Sequence, residues 1–176
     1  VLLLLRSCPT TSQVVSAILA TFWLFTGVGY HWPFFAPINP IAHEFALLFL
    51  PQSAFLLVHG VARQAITYQS MAGWQGGVGW VLIVYALVLY PLIGLAGAHP
   101  YPQTLLFGIA PCPTTIFTLG VLLMGNAGWP LFVIPLMWGA IGGSAAVLLA
   151  VPQGYGLILA GLLAALTLYK RRANSI

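Results

Sequence analysis

Residues 78–98 read VGWVLIVYALVLYPLIGLAGA, twenty-one positions without one charged side chain. At about 1.5 Å of rise per residue such a stretch covers the roughly 30 Å of hydrocarbon in a bilayer, so it predicts a membrane-spanning helix. Five further apolar segments surround it, at residues 14–30, 41–62, 104–124, 130–150 and 152–169. The first and last are short, which implies little tilt or some local thinning of the bilayer. Breaks fall at Trp32-Pro33, at Asn39-Pro40, through the polar, glycine-rich stretch 63–77, at His99-Pro100-Tyr101-Pro102, over 125–129 and at Val151-Pro152.

Composition carries the same message. Hydrophobic residues make up 61% of the 176 positions and charged ones 3%, whereas an ordinary soluble domain is about a quarter charged. A water-facing surface cannot be assembled from this chain, and disorder, a collagen-like repeat and nucleic-acid binding are excluded on the same ground. Six spans use about 120 positions and leave room only for short connections. The expected fold class is therefore all-α, a polytopic transmembrane helix bundle forming one domain over residues 1–176.

Five bases, Arg6, Arg63, Lys170, Arg171 and Arg172, stand against one acid, Glu44. With six spans all five bases fall on one side, and the tendency of bases to stay inside makes that side, with the C-terminus, cytoplasmic. Residues 1–5 are apolar and Arg6 follows them, the reverse of a signal peptide. This reads as the tail of a truncated spanning helix, with 1–13 passing into a cytoplasmic segment, so the chain is expected to be a fragment. Tyr30, Trp32, Trp74, Trp80, Tyr101, Trp129 and Tyr155 lie near proposed boundaries, where amphipathic rings anchor helices.

Polarity inside the bilayer points to candidate sites. The fourth span carries GIAPCPTT at residues 108–115, whose prolines predict a kink with unpaired carbonyls near Phe107 and Ile109. Thr104, Gly108, Pro111, Thr115 and Thr118 share one helical stripe, with Cys112, Pro113 and Thr114 beside it. Two readings fit: a broken helix that binds a solute or ion through carbonyls and hydroxyls, or a structural kink satisfied locally. In the second span Glu44, Gln52 and His59 lie within about 80 degrees of one another around the helix, as a proton or cation path would require, or as interfacial anchors would. His31, His43 and His99 with Glu44 have suitable ligand chemistry, but their spacing establishes no metal site. Cys8 and Cys112 form no metal or redox spacing, and no general base for Cys112 is evident. In the fifth span Pro135, Gly139, Gly143 and Ala146 line one side, the pattern of a close helix-packing seam within one subunit or between two.

The stretches PCPTTIFTLG at 111–120, IPLMW at 134–138 and IGGSAA at 141–146 resemble an uncharacterised family of bacterial multi-pass membrane proteins, sometimes labelled permease-like. Phe34-Phe35, Ile38-Asn39-Pro40, Tyr90-Pro91, Tyr101-Pro102 and Val151-Pro152-Gln153 extend the likeness over nearly the whole chain from Val14. The resemblance implies a bacterial inner-membrane protein with a further N-terminal hydrophobic segment. It brings no reaction or solute, and Gly154 stands where some members place an acid. Transport of a small solute or ion is the leading functional expectation, and a non-catalytic membrane assembly protein is the alternative. A membrane enzyme would need a base, acid or metal that no local constellation supplies. The expected partners are the lipid bilayer, a small solute or ion and a second copy or another membrane protein; no cofactor is implied.

Overall fold

The computed structural model describes residues 2–5, 8–37, 39–69, 73–96 and 107–173. Its helices are α1 Pro9–Phe35, α2 Ala42–Ala62, α3 Gly73–Ala96, α4 Pro111–Leu123, α5 Pro130–Leu148 and α6 Pro152–Ala173. A short 3-10 turn, Leu2–Leu5, precedes them. All but α4 are long and apolar enough to cross a membrane. The chain is an all-α bundle of the kind that closes its backbone hydrogen bonds within each segment, as hydrocarbon demands.

Side-chain bonds fix the direction of each helix. Gln13, near the start of α1, donates to the Val61 carbonyl at the end of α2, 3.3 Å away. Gln75, at the start of α3, donates to the Leu123 carbonyl at the end of α4 at 2.6 Å. Arg171, at the end of α6, donates to Ala127, just before α5, at 3.2 Å. Lys170 sits 4.6 Å over the Trp74 ring. Successive helices therefore alternate in direction, and Arg63 and Lys170 to Arg172 share one end of the bundle. Arg6 lies outside the described residues.

The polar connection after α2 is not a loose loop. Its backbone docks beside the end of α4: Thr67 N–H donates to Asn126 Oδ1 at 2.8 Å and Gln69 N–H to the Met124 carbonyl at 2.9 Å. Tyr68 N–H donates to Ser12 Oγ at 3.0 Å, and the Ser16 hydroxyl donates to the Tyr68 oxygen at 3.2 Å. Ile66 and Tyr68 are consequently buried. This strap joins α1, α2 and α4 at the basic end.

At the centre stands α4. Every residue from Pro113 to Leu123 is buried, where the longer helices each expose one face. A helix apolar on all sides belongs inside other helices. Its 13 residues rise only about 20 Å, less than the hydrocarbon thickness. The α3–α4 approach is close because glycine faces glycine: a Cβ on Gly120 would stand 2.8 Å from the Gly79 carbonyl oxygen and 3.0 Å from Ile83 Cγ1. Between α5 and α6, a Cβ on Gly139 would lie 3.6 Å from the Gly161 Cα, and Gly143 is covered by Ile158. Pro135 and Ala146 are buried on α5 with these glycines.

Three helices also widen to the π pattern, at Phe25–Phe35, Leu57–Ala62 and Tyr85–Leu89. The Ala36 N–H reaches the His31 carbonyl at 2.7 Å and the Arg63 N–H reaches Val58 at 2.9 Å, both five residues back. Each wide turn rotates the next residues to a new face. That is why α1 runs on to Phe35 through Pro33, although the pattern predicts an end at Tyr30, and why His31 is buried.

Two predictions follow from this packing. Gly120→Ala is expected to lower stability by about 1–3 kcal/mol, because the opposing Gly79 carbonyl is backbone and cannot rotate away; an unchanged thermal midpoint in detergent would refute the close approach. Burial pushes the Tyr68 phenol up to about 12, against the opposing effect of the Ser16 hydroxyl. Its ordinary value is about 10, so strap docking is complete below about pH 10 and weakens as pH rises towards 12, where a released Tyr68 ionises and a docked one does not. Hydrogen exchange of residues 64–69 should show this loss in the native chain and not in Tyr68→Phe.

Candidate functional site

The Pro-Cys-Pro element starts α4 and does not kink it. Ala110 is extended, with φ −87° and ψ 146°, and helical geometry begins at Pro111. The sequence-based expectation of a continuous span over 104–124 with a central break is therefore corrected. A helix start leaves its first N–H groups without intrahelical acceptors, a serious cost where no water reaches. Pro111 and Pro113 remove two of those donors outright. Thr114 completes the start: its hydroxyl donates to the Ala110 carbonyl at 2.7 Å and accepts from Gly108 N–H at 3.0 Å. Gly108 allows the turn with φ +85°. The carbonyl expected to be free at Ile109 accepts from the Thr26 hydroxyl at 3.4 Å.

Next to this start is a polar cluster the sequence did not announce. The His31 ring is fully buried, held by a 2.7 Å hydrogen bond between Nδ1 and the Thr26 carbonyl, which makes Nδ1 the protonated nitrogen. Aromatic rings surround it: Phe49 at 4.9 Å, Tyr30 at 5.5 Å and Trp138 at 5.6 Å between centroids, with Phe35 and Phe45 slightly further out. The Cys112 thiol lies beside the Tyr90 hydroxyl and the Trp138 indole. His31 Nε2, Tyr90 Oη and Trp138 Nε1 are nevertheless buried without a hydrogen-bond partner. With Nδ1 protonated, Nε2 is an acceptor, the indole is a donor and the phenol can do either. The cluster therefore holds both kinds of hydrogen-bonding group within an aromatic wall.

The sequence-predicted candidates separate. On α4, Thr118 accepts from Trp23 Nε1 at 2.9 Å and donates to the Thr114 carbonyl at 2.8 Å, so it is occupied. Thr115 is buried with its hydroxyl unpartnered. Thr104 lies outside the described residues, and Gly108 is in the turn before the helix, so the five-residue stripe does not continue along α4. On α2, Gln52 is buried and donates to the Leu131 carbonyl at 3.1 Å, while its Oε1 has no partner. Glu44 is exposed in the first turn. His59 lines a shallow cavity of about 340 Å³ with Phe55 and Asn126 at the basic end. Pro51 and the π turn at Leu57–Ala62 interrupt the even helix that the Glu44, Gln52 and His59 alignment assumes.

His43 is exposed and bonded to the Pro40 carbonyl at 3.0 Å, far in character from buried His31. His99 lies outside the described residues. Among the described residues no three His, Cys, Asp or Glu side chains come together. One signal for the missed cluster was available: Trp23 and Trp138 lie in the middle of apolar segments, away from the interface levels that tryptophan favours. A mid-span indole needs an acceptor inside the protein.

Six apolar helices in alternating directions among the described residues, with polar side chains turned inward, define a multi-pass membrane protein. The chain belongs to DUF6064, a family of unknown function, whose model matches residues 1–175. Neither a curated protein nor a solved structure matches it.

The capping role of the prolines is testable. Pro113→Ala is expected to leave the direction of α4 unchanged and to lower stability by about 1–3 kcal/mol, because it places a new N–H in a buried helix start that has no intrahelical acceptor for it. A straightened, N-terminally extended helix in the variant's structure would restore the kink reading.

Proposed function

We propose that the protein binds a small polar solute or ion within the membrane and passes it across, with His31, Tyr90, Cys112 and Trp138 as the binding station. The observation that carries this reading is the set of buried polar atoms without partners: His31 Nε2, Tyr90 Oη and Trp138 Nε1, with Gln52 Oε1 and Thr115 Oγ1 deeper in the bundle. Each unpaired group costs on the order of 1–3 kcal/mol, and a bundle built only for stability would be better with apolar residues in these places. A bound solute that both accepts and donates hydrogen bonds offsets that cost. The permease-like reading, the bacterial inner membrane and a cytoplasmic basic end with the C-terminus belong to this proposal; the shared end of Arg63 and Lys170 to Arg172 supports the orientation.

A second reading, a non-catalytic assembly protein, is favoured by a different observation. Gln52 to Leu131, Ser53 to Ala20 at 2.8 Å and Trp23 to Thr118 are interhelical bonds that tie the bundle together.

Labelling of the native Cys112 separates the two. In a Cys8→Ser background, a small water-soluble thiosulfonate should modify Cys112 in proteoliposomes, and Tyr90→Phe and Trp138→Phe should raise thermal stability while lowering glycerol or urea permeation in a swelling assay. Complete protection of Cys112, with permeation equal to empty vesicles, would leave the assembly reading.

A further inference from the structure

At the basic end a cavity of about 800 Å³ opens between the α4–α5 connection and the end of α6. Trp129, Leu168, Tyr169, Arg171 and Arg172 line it. We propose that this cavity binds the phosphate headgroup of an anionic phospholipid, a site separate from the buried cluster. The Arg171 guanidinium is held at the wall by its bond to the Ala127 carbonyl, 44 positions away in sequence. That contact occupies one edge of a planar fork whose remaining N–H groups suit phosphate oxygens. Arg172 adds a second positive charge to the lining.

A free phosphate would need only the charge; the surroundings favour a lipid. Trp129 and Tyr169 are 72% and 74% exposed at the cavity mouth, as rings at headgroup level are. From Tyr169 an exposed apolar track continues along α6 through Leu166, Leu162 and Leu159. These positions are three or four residues apart and share one face. The track leads away from the arginines along the helix, as an acyl chain must when its headgroup is held at the helix end.

The test uses the full chain in nanodiscs. Brominated phosphatidylglycerol should quench Trp129 emission, taken as the difference between the native chain and Trp129→Phe, more strongly than brominated phosphatidylcholine. Arg171→Gln with Arg172→Gln should weaken phosphatidylglycerol binding by at least about tenfold, and Arg171→Lys, which keeps charge but loses the fork, should fall between. Inorganic phosphate should not displace the lipid. Equal quenching by the two lipids in the native chain overturns the proposal without need of the arginine variants. Arginine variants that bind as tightly as the native chain also overturn it, and displacement by phosphate replaces the lipid with a soluble anion.

Discussion

A helix that begins in the buried interior of a bundle cannot leave its first N–H groups bare, and the rest of this structure depends on how α4 meets that constraint. Two prolines delete donors, Thr114 joins the hydroxyl to both flanks of the turn, and Gly108 lets the chain enter. Once started, α4 is enclosed on every side, and the other helices pack around a short axis. Small residues set how closely they come, at Gly79 against Gly120 and along Gly139 and Gly143 beneath α6. Hydroxyls and indoles cross-link what dispersion alone would hold loosely, since lipid gives helices no hydrophobic reason to associate.

The same enclosure produces the candidate site. Because α4 starts below the ends of its neighbours, Cys112 meets Tyr90 and Trp138 from α3 and α5, and the π turn of α1 swings His31 towards the same rings. Polar atoms that a uniform bundle would have replaced with apolar ones are kept there without partners. Thr114 and Thr118 are bonded within the protein, whereas Thr115 and Gln52 retain unpaired oxygens.

The two ends of the molecule divide the chemistry. One end carries Arg63 and Lys170 to Arg172, the docked strap and a wide cavity lined by arginine and aromatic side chains. Glu44 and exposed His43 lie at the other, with the buried histidine cluster beneath. An α6 that ends in three bases and opens in an apolar face links hydrocarbon to headgroup along a single helix.

Hydropathy alone determined the class of fold, because a chain with six charged side chains in 176 has no other solvent to face than lipid. That the chain forms a series of apolar helices was legible from apolar runs and their breaks, and the one-sided placement of Arg63 and Lys170 to Arg172 from an even span count, whereas the helix bounds at Phe35 and Pro111 were not. Pro111-Cys112-Pro113 was visible as a break, but proline looks the same in sequence whether it kinks a helix or opens one; only the extended Ala110 and the Thr114 bonds distinguish them. The alignment of Glu44, Gln52 and His59 assumed one uninterrupted helical period, which the π turns do not keep. His31, Tyr90 and Trp138 come from three helices, and which of their faces meet depends on crossing geometry that no local pattern encodes.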